Sequence, residues 1–112
     1  MWLFTDIGFF SIVRKPADEN DGMVTIRARV RSDLERLREF YLPSLGDILE
    51  KGGTDYPFRA RANQSDFANA LRLIGEGIDY GNFKSEVQSR QGHHRAHVYS
   101  DVWRDLLKLE DK

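Results

Sequence analysis

The stretch Met23-Val-Thr-Ile-Arg-Ala-Arg-Val-Arg31 constrains the fold more than any other part of the chain. Val24, Ile26, Ala28 and Val30 alternate strictly with Thr25, Arg27, Arg29 and Arg31. A period of two belongs to a strand with one face on a core and one in water, and no helical stripe reproduces it. Residues 56–62 repeat the pattern, with Phe58, Ala60 and Ala62 opposed to Arg59 and Arg61, and they read as the last strand.

Two shorter aromatic and β-branched segments, residues 2–5 and 9–14, flank Asp6-Ile7-Gly8 and read as a strand pair about a turn, or as one bent strand. Residues 15–22 are turn formers and charges, so a solvated loop is expected there. Helical signals follow. Ser32-Asp33-Leu34-Glu35 matches a capping box, and Leu34, Leu37 and Tyr41, with Leu45 as a further candidate, form the buried stripe of a helix that Pro43 ends or kinks. A further short turn is expected to reach Glu50. Asn63 or Ser65 caps the next helix, whose Phe67, Ala70, Leu71, Ile74 and Ile78 share one side.

Beyond Gly75, Gly77 and Gly81, Asn82 offers a cap for a short helix from Phe83 to Gln91, closed by Gly92. A last helix spans residues 93–109, with Tyr99, Val102, Trp103, Leu106 and Leu107 as an apolar face expected to dock on the rest. Strands mostly precede helices. The expectation is therefore an α+β fold, a mainly antiparallel sheet of three to four strands with three to four helices packed on one face. The 112 residues, 40% of them apolar, supply one core, and no repeat or boundary divides them, so residues 1–112 read as a single domain.

The strings Met-Trp-Leu-Phe-Thr at 1–5, Gly-Phe-Phe-Ser-Ile-Val at 8–13 and Ile-Asp-Tyr-Gly-Asn-Phe-Lys at 78–84, with Val102-Trp103 near the end, carry a resemblance. The chain resembles a family of small bacterial proteins to which no activity, cofactor or catalytic residue is assigned. That likeness implies a bacterial cytosolic origin and nothing about chemistry.

Several function classes are disfavoured from the start. Without cysteine there are no disulfides, thiolate nucleophiles or CxxC zinc sites. The first residues lack a basic region and a small-residue cleavage site, so no export signal is read and a cytoplasmic location is expected. No apolar run approaches the roughly 18 residues a membrane helix needs. Seventeen basic and eighteen acidic residues leave a formal charge of -1, so any anionic partner must be met by a local patch.

The candidate patch is the arginine row. If the two alternating strands share a sheet, Arg27, Arg29, Arg31, Arg59 and Arg61 stand on one face, suited to phosphates, with Phe9 or Phe10 as a stacking platform. The competing reading pairs these arginines with Glu35, Glu39, Asp66 or Glu76. The connection bearing Tyr80, Asn82 and Lys84 is a second candidate, against a plain cap with Phe83 as an anchor.

His93, His97 and Asp101 recur at helical spacing and are weak metal candidates, but Arg104 and Lys108 on the same side oppose a cation. Gly75-Glu-Gly77-Ile-Asp-Tyr-Gly81 has the wrong spacing for a dinucleotide fingerprint. No serine sits in a nucleophile motif, so no catalytic residue is named, no enzyme activity is supported and no cofactor is expected. The preferred expectation is a non-enzymatic binding or regulatory module for a protein partner. The alternative is nucleic-acid binding through the arginines. Whether Trp2 and Phe4 are buried or form an exposed patch that implies a homodimer is left open by the pattern.

Overall fold

The computed structural model describes residues 1–111 and has an α+β fold. Backbone contacts group it into two compact units, Met1–Ile78 and a second that begins at Asp79. In the first unit, β1 (Trp2–Phe4), β2 (Phe9–Val13), β3 (Met23–Ala28), β4 (Leu49–Glu50) and β5 (Phe58–Asn63) form one sheet in the order β1-β2-β3-β5-β4. Every pairing is antiparallel. Two helices, α1 (Arg31–Phe40) and α2 (Gln64–Glu76), pack on this sheet.

The alternation sets the two faces. Ile12, Ile26 and Ala60 lie side by side across three strands, and Val24 and Ala62 pair across two. All are buried with Phe10, Leu34, Leu37, Leu42, Phe67 and Ala70 in one core, the strand residues meeting the apolar stripes of α1 and α2. Truncating Leu34 or Leu37, both fully buried, to alanine costs about 2–5 kcal/mol.

The β1–β2 segments are a hairpin, not one bent strand. Thr5 closes its turn: the hydroxyl donates to the Gly8 carbonyl at 2.9 Å and accepts from the Ile7 and Gly8 amides. A Cβ on Gly8 would lie 2.7 Å from the Asp33 side chain, so only glycine lets the turn approach α1 this closely. Asp33 in turn accepts the Phe9 amide at 3.0 Å and the Arg36 guanidinium at 2.6 Å, while Arg36 also donates to the Ile7 carbonyl.

This docking corrects the expected capping box. The N-cap of α1 is Val30, without a side-chain cap, and Ser32 already lies inside the first turn. The acidic residue of that turn, Asp33, is committed to the hairpin instead. Strand β4 is a second correction, since Leu49 and Glu50 pair with β5 where a helical turn was expected. Its hairpin is closed by the Lys51 amide on the Pro57 carbonyl, with Gly53 at φ +78°.

Asn63 caps α2, its side chain accepting from the Ser65 and Asp66 amides. Ile78, expected on the buried stripe, falls beyond the Gly77 end of the helix and is 59% exposed.

The second unit holds α3 (Phe83–Gln91) and α4 (His93–Leu106), followed by a 3-10 turn (Leu107–Asp111). Asn82 caps α3 by accepting the Ser85 amide at 2.8 Å, and Gly92 at φ +96° separates the helices. Val87, Ala96 and Tyr99 are buried, and the Phe83 ring stacks on Tyr99 at 5.8 Å. Of the apolar face expected on α4 only Tyr99 is buried; Trp103, Leu106 and Leu107 are exposed.

Candidate functional site: the arginine face of the sheet

The face of the sheet opposite the α1 and α2 core collects the odd-numbered residues of β2, β3 and β5. One register row crosses all five strands: Trp2, Ser11, Arg27, Arg59 and Leu49. Because cross-strand partners point the same way, these side chains share one surface. Beside it run the Val13–Thr25–Arg61 row and the Phe4–Phe9 pair.

Three of the five predicted arginines stand on this face in strands: Arg27, Arg59 and Arg61. Strand β3 ends at Ala28, and Arg29 and Val30 form a bend, so Arg29 and Arg31 do not extend the row. Arg31 opens α1 and is exposed. Arg29 folds back so that its guanidinium sits 5.1 Å from the centre of the Tyr56 ring.

Tyr56 organises the centre. Its ring is buried beneath Arg27 at 4.6 Å as well as Arg29, and Phe9 packs against it at 6.4 Å. Its backbone carbonyl accepts from Arg59 Nε at 3.2 Å. A guanidinium over an aromatic face is attracted by the ring quadrupole and held flat, yet keeps its full charge. The Arg27 fork is fixed further by donating to the Ser11 hydroxyl at 2.7 Å, while its Nε is buried without a hydrogen-bond acceptor among the described residues.

Phe9, one of two proposed stacking residues, lies on this face, stacked on Phe4 at 4.5 Å and edge-on to Trp2 at 6.1 Å. Phe10 points the other way and is fully buried. Trp2 and Leu49, at the two ends of the long row, are 69% and 64% exposed.

Arg61 is different. Its Nε donates to Asp18 at 2.8 Å and its Nη2 to Asp21 at 2.9 Å. The Pro16–Asp18 helical turn lays the Asp18 carboxylate, 1% exposed, against the sheet, where it also accepts the Lys15 amide and the Thr25 hydroxyl. Burial pushes the Asp18 carboxyl up, but the Lys15 amide, the Thr25 hydroxyl and the Arg61 guanidinium outweigh it and hold it below its ordinary value. None of the carboxylates expected to compete for these arginines does so: Glu76 pairs with Arg72, Asp66 accepts from Ser44, and Glu35 and Glu39 are exposed on α1. Among the described residues, Arg27, Arg29 and Arg59 have no carboxylate within salt-bridge distance.

In the second unit, Tyr80 packs at 6.2 Å on Phe83, Asn82 is occupied as a helix cap, and Lys84 is exposed in the first turn of α3. His93 and His97 stack at 6.4 Å and His97 Nε2 lies 3.9 Å from Asp101, while Arg104 also reaches Asp101. No group of three or more potential ligands is gathered for a metal ion among the described residues. Nor is any described helix long and apolar enough to cross a membrane.

Comparison with family models, with curated proteins and with solved structures finds no match.

Proposed function

We propose that the chain is a non-enzymatic binding module whose arginine face receives a protein partner. The observation that carries this reading is the long row itself. It places an exposed tryptophan and an exposed leucine on either side of two guanidinium groups that meet no carboxylate among the described residues. Trp, Tyr and Arg dominate the energetics of protein interfaces, because they offer large rigid area and directional donors at low conformational cost. The face supplies its own rigidity, since Arg27 and Arg59 are both anchored on the Tyr56 segment.

Affinity capture from the native host tests the reading. The wild-type chain is expected to retain one stoichiometric protein after nuclease treatment. The variant Trp2→Ser with Leu49→Ser, changed only at exposed positions, is expected to lose it. A mixed background, or equal capture by the variant, refutes the proposal.

One observation favours a second reading, binding of a single nucleic-acid strand. Phe9 lies on the same face as Arg27 and Arg59, and the exposed Trp2 ring stands edge-on to it, so this face carries both a ring and cations, the two elements that base stacking with phosphate contact uses. It predicts affinity for single-stranded DNA or RNA that falls steeply with salt and disappears in Arg27→Glu with Arg59→Glu. Binding that survives that double change removes this alternative.

A further inference from the structure

We infer that Arg27 and Arg59 together form an oxyanion-binding site, built to hold a phosphate or carboxylate group between their guanidinium forks. The inference rests on the reading of the arginine face as a binding surface and adds the chemistry of what is bound there.

Three features of the structure converge on it. Arg27 and Arg59 are direct partners in the β3–β5 ladder, a position where like charges repel and are disfavoured unless something compensates them. Neither is compensated from within, since no carboxylate among the described residues reaches either one. Yet both are held in place by neutral acceptors, Arg27 by the Ser11 hydroxyl and the Tyr56 ring, Arg59 by the Tyr56 carbonyl.

Two flexible surface arginines that merely repelled each other would swing apart into water. These are anchored near the Cα end of the fork or by a single nitrogen, which leaves other N–H groups of each guanidinium without an acceptor among the described residues. Planar forks held in this way are preorganised for the paired oxygens of a phosphate or carboxylate.

The neighbouring row provides an internal precedent. Arg61, next but one to Arg59 on the same face, satisfies its fork with carboxylate oxygens of Asp18 and Asp21 at 2.8–3.0 Å. An oxyanion arriving from solution would do for Arg27 and Arg59 what those two side chains do for Arg61. The rings of Trp2, Phe9 and Tyr56 border the site, and poorly hydrated surroundings strengthen a charge-assisted hydrogen bond.

The test uses the free chain and simple anions. Arginine Nε–Hε resonances are followed while inorganic phosphate replaces chloride at constant ionic strength, and acetate is titrated in a parallel series. Saturable shifts of the Arg27 and Arg59 signals are expected, with the tighter of the two anions identifying the group the partner presents. Arg59→Gln should weaken that binding about tenfold or more, the value of one charge-assisted hydrogen bond. Arg59→Lys, which keeps the charge but not the fork, should fall in between, and Arg72→Gln on α2 should change nothing.

Shifts that grow linearly without saturating, or an affinity unchanged in Arg59→Gln, overturn the site. The outcome is separable from that of partner capture. A chain that captures its protein through Trp2 and Leu49 but shows no saturable response keeps the interface and loses the anion site.

Discussion

Two ends of one sheet face handle the same side chain in opposite ways. At the Thr25 end, Arg61 is paired with two aspartates, one of them buried in the Pro16–Asp18 turn that lies against the sheet. At the other end, Arg27 and Arg59 rest on an aromatic ring and a carbonyl and meet no carboxylate among the described residues. The difference separates two uses of arginine. A guanidinium met by carboxylates fastens a loop to a sheet, whereas one fixed by neutral groups has its charge left over for something outside the chain.

The contrast is broken most severely by removing its centre. Tyr56→Ala deletes the ring beneath both Arg27 and Arg29 and opens a cavity against Phe9, so urea unfolding is expected to show a loss of about 3–5 kcal/mol. Tyr56→Leu should recover part of that by filling space, without restoring the cation–ring attraction. If Tyr56→Ala proves nearly neutral, the ring does not organise this end.

Next in size is the fastened end. Asp18→Ala leaves the Thr25 hydroxyl and the Lys15 amide without their acceptor, and should cost about 2–3 kcal/mol by urea unfolding. The half-exposed Arg61 keeps Asp21 and access to water, which holds the figure below that of a fully buried pair. Asp21→Ala, which removes only an exposed partner, should cost well under about 1 kcal/mol.

These two ends also differ in how far they could be read from the sequence. Alternation over 23–31 and 56–62 exposed both faces of β3 and β5, because side-chain direction in a strand follows position alone, but it did not show that β3 stops at Ala28. The same logic placed Arg27, Arg59 and Arg61 together once the strands paired and wrongly added Arg29 and Arg31, while Asn82, and Asn63 with Ser65 as its rival, were visible as caps because that contact is local.

Asp18 was not visible. It is one polar residue in a loop of polar residues, and its partner Arg61 lies 43 positions away, so nothing in the local pattern distinguishes it from Asp21 or Glu19. Tyr56 was hidden for a related reason, since its part depends on the bend at Arg29 returning a guanidinium to it. Two-residue β4 is too short to display any period, and Ser32-x-x-Glu35 signalled a cap that the docking of Asp33 on the hairpin displaced by two residues. Local rules were reliable where the deciding contact was local.

Acidity separates the ends again, with a smaller effect. The folded state holds the Asp18 carboxyl below the ordinary 3.8, so the unfolded chain takes up its proton first as pH falls. The stability Asp18 contributes is therefore fully present above that ordinary value and lost as pH drops through the lowered one. Urea midpoints of wild type should fall more steeply than those of Asp18→Asn below about pH 4, and the two curves should run parallel above about pH 5. Parallel curves throughout the acid range would mean that Asp18 is not held low.

The smallest change is the most discriminating. Arg59→Gln removes one of two like charges facing each other across β3 and β5 and retains a side chain long enough to cover the sheet. If Arg27 and Arg59 were structural, as Arg61 is, the substitution would cost stability. If their charge is left over, relief of repulsion offsets the lost bond to the Tyr56 carbonyl, and the change in unfolding free energy should stay within about 0.5 kcal/mol of zero in chloride buffer. Replacing chloride with phosphate should then stabilise the wild type and not the variant, because only a folded pair of forks can bind the anion and shift the equilibrium. A loss above about 1 kcal/mol in chloride would instead place Arg59 with Arg61, as a fastener of the fold.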